Sequence, residues 1–541
     1  MEPVPIQLTQ SEIESLNPSA LFNVNIGILG HVDSGKTSLV KALTKIPSTA
    51  SLDKNPQSQQ RGITLDLGFS CLMVRSPKLP NDKVLQITLV DCPGHASLIR
   101  TIIGGASIID MMVLVIDINK GIQTQTAECL VIGELLIPKM IVVLNKIDLI
   151  PVEERKVVIE KKINALKKIF QKTKFANKLI MVPISANIGG QENQKINETS
   201  GLDGLIETLV KEIDIPQRNQ KTEEFLFLID HCFPIKGQGS VVTGTVIKGN
   251  VKNNDDVEFP QIMEKKKVKS MQMFHKNIEK AYQGDRIGML FTNLDSKLIE
   301  RGVACSPGAL RISDFLIVSI NKINYFKQSV KTKAKFHITI DHQTVMGTLL
   351  MFSGKGKEEK FNIENEYQYL EELPSESEMT KSCFALIKLE KPLIIGMEGL
   401  IIGARFDSDI NSNTCRLAFH GKIQWLPQKN EGVTVRIFKE KQRNGVVEKI
   451  VDNHTLLVKS LFKKETNIAV FVGKNVKVSN FVGKIQGAFG KSGKVKVVFD
   501  QDLMEVKEGE EVKENEIKEE LLKGAVVMSY NKYVDIEKFL Q

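Results

Sequence analysis

The run Gly30-His31-Val32-Asp33-Ser34-Gly35-Lys36-Thr37 fits the pattern G-x-x-x-x-G-K-[ST]. In this spacing the backbone turns around an anion and points successive N–H groups at its oxygens. Lys36 is then expected to reach the β- and γ-phosphates of a nucleotide, and the Thr37 hydroxyl to ligate Mg²⁺. Three more short segments follow in order. Asp91-Cys92-Pro93-Gly94 supplies a carboxylate that can hold Mg²⁺ through water and a Gly94 N–H for the γ-phosphate. Asn145-Lys146-Ile147-Asp148 supplies the Asp148 carboxylate, which can accept hydrogen bonds from guanine N1–H and from its exocyclic amine. Adenine lacks that pair of donors, so the site is predicted to take GTP and not ATP. Ser185-Ala186-Asn187 is suited to meet the guanine oxygen with backbone N–H. An isolated Asn-Lys-x-Asp is often a plain turn, but these four segments together imply a GTP-hydrolysing site.

The elements that must position them are legible as apolar runs. Val24–Leu29, Gln86–Val90, Met140–Leu144 and Leu179–Ile184 each read as a buried strand ending at one of the four segments. Helical stretches such as Glu154–Phe170 lie between them, so residues 1–217 are expected to form an α/β P-loop GTPase domain with a parallel sheet wrapped by helices. Within it, Arg61-Gly62-Ile63-Thr64 occupies the place of a γ-phosphate-sensing segment. Thr64 would add its hydroxyl to Mg²⁺ and its N–H to the phosphate. His95, next to Gly94, is the candidate catalytic residue, placed to orient the attacking water. Val32 and Ile63 could form a hydrophobic gate that keeps His95 from the water until a partner opens it. No arginine finger is evident in the chain, so slow intrinsic hydrolysis accelerated by a large partner is expected.

Beyond Pro216 the grammar changes to short alternating runs separated by glycines and Asn/Asp pairs, the pattern of small β-barrels. Three β-barrel-like domains are expected after the GTPase domain: 218–310, 311–425 and a basic β-rich segment 426–541. Between Arg436 and Lys496 there are 14 Lys/Arg against 4 Asp/Glu, and between Asp500 and Glu520 there are 3 Lys against 10 Asp/Glu. A basic face concentrated in one module is the usual footprint of nucleic acid, with a merely solvated surface as the alternative. The 541 residues suffice for several separate cores. No apolar run is long enough to span a bilayer, the first residues are polar, and the 7 cysteines are scattered without a C-x-x-C pair. These features predict a monomeric chain without membrane association in a reducing compartment, cytoplasmic or additionally nuclear.

The phosphate loop, Arg61-Gly62-Ile63-Thr64, Asp91-Cys92-Pro93-Gly94-His95 and Asn145-Lys146-Ile147-Asp148 together resemble the translational GTPases that carry aminoacyl-tRNA. More specific stretches resemble the eukaryotic selenocysteine-specific elongation factors: Lys54 to Phe69, Gly94 to Ala106, and Asp230-His231-Cys232-Phe233-Pro234-Ile235-Lys236-Gly237-Gln238-Gly239. The resemblance is strongest through about residue 305 and weak over the last 115 residues. It implies GTP-dependent delivery of selenocysteinyl-tRNA to recoded UGA codons, hydrolysis triggered by the ribosome, and partnership with a SECIS RNA hairpin and the SECIS-binding protein. The implied aminoacyl pocket falls on Asp230, His231 and Arg286, where a cation can favour a selenolate anion over serine. From the residues alone, Asp285-Arg286 could equally be a strand-edge ion pair and Asp230-His231 a turn. A general or initiator tRNA carrier, or a GTP-gated assembly or signalling module, are the competing readings.

Overall fold

The computed structural model describes residues 7–44, 46–47, 67–94, 103, 108–186, 201–218, 224–299, 301–357, 359–397, 399–407, 415–428, 432–490, 492–504 and 514–540. Two compact units divide the chain. The first holds most of residues 1–431, and the second holds 352–371, 380–382 and 432–541.

A short helix α1 (Gln10–Ser15), closed by a Thr9–Glu12 capping box, precedes the first sheet. Its strands are β1 (Leu21–Leu29), β2 (Ile46–Pro47), β3 (Gly68–Val74), β4 (Val84–Asp91), β5 (Met111–Asp117), β6 (Met140–Asn145) and β7 (Ile180–Pro183), in the order β2-β3-β4-β1-β5-β6-β7. The helices α2 (Lys36–Leu43), α3 (Thr124–Leu136), α4 (Val152–Phe170) and α5 (Leu202–Glu212) follow the strands. Val24, Ile26, Ile28, Val113, Val115, Ile141 and Val143 are buried on one face and Leu29, Met112, Leu114, Val142 and Leu144 on the other, as strands covered on both faces require. The helix α4 carries Glu153 and Glu154 in its first turn and Lys167 and Lys168 in its last, matching the helix dipole.

The sheet departs from the all-parallel expectation at one edge. From β4 to β7 the neighbours are parallel, but β3 runs antiparallel to β4 and β2 antiparallel to β3. The loop between β3 and β4 spans only residues 75–83, too short for a crossover, so the chain must return as a hairpin.

The next strands are β8 (Leu226–Ile235), β9 (Gly239–Lys248), β10 (Asn250–Lys252), β11 (Asp256–Phe259), β12 (Glu264–Met273), β13 (Lys276–Ile278), β14 (Lys280–Tyr282), β15 (Arg286–Phe291) and β16 (Gly302–Cys305). The path β11-β16-β8-β9-β15-β12 closes on itself through the β11–β12 pairing, which makes a barrel with β13 at its rim. A second barrel closes through β19–β20. Its elements are β17 (Arg311–Ser319), the short β18 (Asn321–Lys322), β19 (Lys335–Ile340), β20 (Gln343–Ser353), β22 (Cys383–Ile395), β23 (Leu400–Ala404) and β24 (Leu417–Trp425). Between β20 and β22, β21 (Glu366–Leu370) belongs to the second compact unit.

In that second unit β25 (Arg436–Asp452), β26 (Thr455–Lys459), β27 (Asn475–Val478), β28 (Phe481–Phe489), β29 (Lys494–Phe499) and β30 (Ala525–Tyr533) form a third closed barrel, sealed by β25–β30. The helices α6 (Glu514–Lys523) and α7 (Ile536–Leu540) flank β30. Strand β28 carries Gly487 and runs to Phe489, and Gly490 (φ +69°) and Gly493 (φ +77°) flank the reversal into β29. Among the described residues, no helix is long and apolar enough to cross a membrane.

Two seams inside the first unit are built from buried polar groups. At one, Gln86 and Thr88 donate to Asn23 Oδ1, while the amides of Asn23 and Asn25 donate to the Gly284 carbonyl of the first barrel. At the other, Arg416 of the second barrel grips Glu128 of α3 through Nε and Nη2 at 2.7 and 2.8 Å, both side chains buried. Removing one member of such a pair strands a charge, whereas replacing both with apolar groups is close to neutral. Glu128→Ala should therefore cost about 3–5 kcal/mol, and Glu128→Leu combined with Arg416→Met should recover most of it. Urea unfolding followed by the fluorescence of Trp425, the chain's 1 tryptophan, checks this. An equally large loss in the double variant would show that geometry, not charge, sets the cost.

Candidate functional site

The four nucleotide segments follow β1, β4, β6 and β7 and leave the sheet at one edge because these strands, with β5 between β1 and β6, all run parallel. Between β1 and α2, Gly30 (φ +147°), Asp33 (φ +60°) and Gly35 (φ +91°) wind the phosphate loop. A Cβ on Gly35 would come within 2.2 Å of Asn145 Nδ2, so the loop and the β6 end are in direct contact. Asn145 is the brace between three segments. Its Nδ2 donates to the Ser34 carbonyl at 2.9 Å, and its Oδ1 accepts from the Ala186 N–H at 3.0 Å.

Within the loop Lys36 Nζ donates to the His31 carbonyl at 2.8 Å. Burial pulls its pKa below the ordinary lysine value, partly opposed by Asp91. An anion held in the loop would oppose that shift. Thr37 Oγ1 donates to Asp91 Oδ2 at 2.7 Å, which brings together the two oxygen donors expected to hold a divalent cation. The Cβ position of Gly94 would lie 2.3 Å from Lys36 Nζ and 2.9 Å from the Val32 nitrogen, so the Asp91–Gly94 segment abuts the phosphate loop.

At the base end, Ser185 Oγ donates to Asp148 Oδ1 at 2.7 Å and aims the carboxylate. Lys146, in a left-handed conformation (φ +70°), pairs with Asp117 at 3.0 Å. Burial alone would raise the Asp117 pKa, but the hydrogen bonds from Lys146 and the Asn119 N–H outweigh it and hold the carboxyl below its usual range. Asp117 was not singled out in the sequence, although its place at the end of β5, level with Asn145, is the signal that could have found it. Arg61, Ile63, Thr64, His95 and Asn187 lie outside the described residues.

The other candidate cluster is in the first barrel. The β8–β9 register shifts between Ile229 and His231, which makes Asp230 the extra residue of a β-bulge. Bulges re-aim side chains, and this one brings Asp230 Oδ2 to 2.5 Å from Arg286 Nη1, with both groups buried. Arg286 thus pairs with Asp230 of β8, on the far side of β9, and not with its neighbour Asp285, whose Oδ2 accepts from the Tyr282 N–H. Gly284 (φ +91°) completes that turn under the Arg218 guanidinium, and Arg218 pairs with Asp110 at 2.7 Å. The Arg286 guanidinium carbon lies 3.1 Å from the ring centroid of Phe69 on β3, so its cation is stacked on an aromatic of the GTPase domain. A cavity of about 200 Å³ opens on the same barrel face, lined by Arg286, Val241, Thr243, Ser270, Gln272 and Leu290 among others. His231 pairs in register with Thr243 and is half-buried; it is not among the residues lining the cavity.

In the second unit, β21 and β25 are parallel, with Glu366 opposite Arg436, and β30 is antiparallel on the other side of β25. Lys439 Nζ sits 3.5 Å from the Tyr369 ring centroid. Arg443 lies among Phe462, Phe471 and Tyr530, each ring centroid within 5.6 Å of its guanidinium carbon. Lys439, Lys441, Arg443 and Lys532 occupy alternate or facing positions on β25 and β30. Among the described residues, none of the four is in an ion pair.

If Asp148 reads guanine, Asp148→Asn should shift preference from GTP to xanthosine triphosphate, whose C2 oxygen accepts where the guanine amine donates. Competitive nucleotide binding measures this, and an unchanged preference for GTP would remove Asp148 from the base-reading role.

Four family models match the chain in order. They are the elongation factor Tu GTP binding domain (residues 22–234), elongation factor Tu domain 2 (239–305), the third domain of eukaryotic selenocysteine-specific elongation factors (317–421) and the eEFSec C-terminal RIFT domain (434–538). The mouse selenocysteine-specific elongation factor is 47% identical over 513 residues, 88% of this chain and 88% of its own length. The protein of the same name from Methanocaldococcus jannaschii is 34% identical, covering 89% of this chain and 95% of its own. Among solved structures, translation elongation factor SelB from Methanococcus maripaludis in complex with the GTP analogue GppNHp covers 95% of this chain and 99% of its own, with a TM-score of 0.68 at 30% identity. The chain is a GTPase of the selenocysteine-specific translation elongation factor family.

Proposed function

We propose that this chain delivers selenocysteinyl-tRNA to the ribosome at recoded UGA codons and that the ribosome triggers its GTP hydrolysis. The observation that carries the cargo assignment is the buried Asp230–Arg286 pair beside the cavity. A guanidinium held on an aromatic ring at the rim of a 200 Å³ cavity offers a charge-assisted contact to a small anionic side chain. A selenol has a low pKa and is largely ionised at neutral pH, whereas serine is not.

In the nucleotide site Lys36 and the phosphate-loop N–H groups bind the phosphates, and Asp148 selects guanine. The hydroxyl–carboxylate pair of Thr37 and Asp91 fits Mg²⁺, with Thr64 as a further ligand; the ion supplies charge neutralisation for the departing phosphate. His95 orients the attacking water, and Val32 and Ile63 gate it. The phosphate loop is braced by Asn145, so its donors need no reorganisation when charge develops on the transferred phosphoryl group.

The basic strip of β25 and β30, with aromatic rings between its cations, suits a nucleic-acid backbone flanked by stacked bases. We assign it to RNA, the tRNA or the SECIS hairpin, with the SECIS-binding protein as the alternative partner. Lys441→Glu with Lys532→Glu should flatten the dependence of log affinity on log salt by about one to two phosphate contacts. An unchanged slope alongside lost pull-down of the SECIS-binding protein would assign the strip to protein instead.

The direct test of function is binding of the GTP-loaded protein to one tRNA body carrying selenocysteine, serine or no amino acid. Arg286→Ala should weaken the selenocysteinyl form roughly 10- to 100-fold and the seryl form by less than about 2-fold. Equal losses would sink the pocket assignment. No binding of any tRNA by the unaltered protein would point to a GTP-gated assembly role.

A further inference from the structure

The cavity of the first barrel has a wall that the barrel does not hold alone. Strands β12 and β13 are joined by the two-residue turn Phe274-His275, with Met273 and Lys276 facing each other in register. Both turn residues are left-handed, Phe274 at φ +44° and His275 at φ +67°, as a tight hairpin of this twist demands. Asparagine and glycine suit such positions. A bulky aromatic there is strained and persists only where its surroundings hold it. Phe274 and His275 both line the cavity that Arg286 also lines.

Part of what holds the turn lies outside the barrel. Phe274 packs on the barrel core and also on a separate cluster of Leu8 and Ile13 with Cys71 and Met73 of β3, against which Leu16 packs as well. The N-terminal segment is itself fastened to β3: Gln7 bridges Val74, and the Leu8 N–H donates to the Met73 carbonyl at 3.2 Å. From the barrel side, Lys276 Nζ donates to the carbonyls of Ile13 and Glu14 and, at 2.8 Å, to that of Leu16. The last carbonyls of a helix have no partner within it and attract a cation. Helix α1 has no basic residue in its own last turn. Lys276, the residue directly after the strained turn, supplies that cation from the barrel.

We propose that residues 8–16 are a strut for the cargo cavity and that Lys276 is the positioning residue that fastens it, fixing the Phe274 ring as one wall of the cavity. This deepens the reading of the cavity as the cargo site and rests on it. Lys276 touches no cargo. Released from α1, the turn loses contacts that offset its strain, and the ring is free to leave the wall. The Phe274 ring carries no charge, so it favours a filled cavity over an empty one and leaves the choice between selenolate and hydroxyl to Arg286.

The test uses the full chain loaded with GTP and one tRNA body in selenocysteinyl, seryl and uncharged forms, with GTP affinity as the check on folding. Lys276→Ala should lower the ratio of affinities for acylated over uncharged tRNA about 3- to 10-fold and keep the selenocysteine-to-serine ratio within about 2-fold. Lys276→Arg, whose guanidinium also donates to several carbonyls, should hold the acylated-to-uncharged ratio within about 2-fold of the original. Phe274→Asn puts a residue that tolerates the left-handed turn in place of the ring, and should lower that ratio at least as far as Lys276→Ala does. An unaltered ratio in Lys276→Ala beside a lowered one in Phe274→Asn would overturn the strut and leave the wall. Unaltered ratios in both variants would overturn the whole inference, and so would equal losses for all three tRNAs in Lys276→Ala. Arg286→Ala is measured alongside. An unaltered selenocysteine-to-serine ratio in that variant would bring down the cargo reading, and this inference with it.

Discussion

Parallel registration of β1, β5, β6 and β7 is the constraint on which the nucleotide site depends. In an open parallel sheet the crevice lies outside the carboxyl ends of the strands, so every loop that leaves there is forced to meet its neighbours. Ile116 faces Leu144 and Asp117 faces Asn145 across β5 and β6, while Leu144 faces Pro183 across β6 and β7. The base-reading segments are therefore level with one another before any side-chain contact is made. Asn145 then converts nearness into rigidity, because one amide satisfies a phosphate-loop carbonyl and a base-loop N–H at once. A buried amide with both ends engaged has no low-energy alternative arrangement, since either group left alone would bear its full desolvation cost.

The barrels are joined to this frame by a different logic. Where the sheet domain meets them, the buried groups include an asparagine pair and an arginine–carboxylate pair as well as hydrocarbon. Such contacts contribute little net stability, because desolvation offsets most of the attraction. What they supply is directionality: Arg416 accepts only one placement of Glu128, whereas an apolar seam would tolerate sliding. A multidomain carrier gains from seams that are specific without being strong, since separately folded bodies can then have defined relative positions at small energetic depth.

Much of this was legible in the residues. The Gly30–Thr37 loop, Asp91, Asn145–Asp148 and Ser185-Ala186 are local signals, each with a spacing fixed by backbone turns, and they lie together as their order implied. Turn chemistry and alternation likewise disclosed the barrels, since the short runs beyond Pro216, Arg286–Phe291 and Lys494–Phe499 among them, are strands. Three features were hidden because they are relations between distant segments. The reversal of β3 is set by the length of a connection, not by any residue in the strand. The Asp230 bulge is a mismatch of register between two strands, and period-two alternation carries no mark of it. Glu128 and Arg416 are a pair whose members look like ordinary surface charges when read alone. Asp117 was recoverable, but only after the β5–β6 pairing had been drawn.

The bulge also decides how far apart the two proposed chemistries can be. Strand β3 carries Phe69, fully buried, and follows directly on the segment that includes Arg61 to Thr64. Its ring lies against the guanidinium that Asp230 has been re-aimed to meet. One strand thus follows on the segment expected to sense the γ-phosphate and lays Phe69 against the residue proposed to sense cargo. Cation–ring attraction falls off when the cation leaves the face of the ring, so a displacement of β3 would alter the setting of Arg286. Coupling of this kind is reciprocal in free energy. Whatever a phosphate-dependent shift of β3 does to the affinity of Arg286 for an anion, an anion bound at Arg286 does to the stability of that same placement of β3.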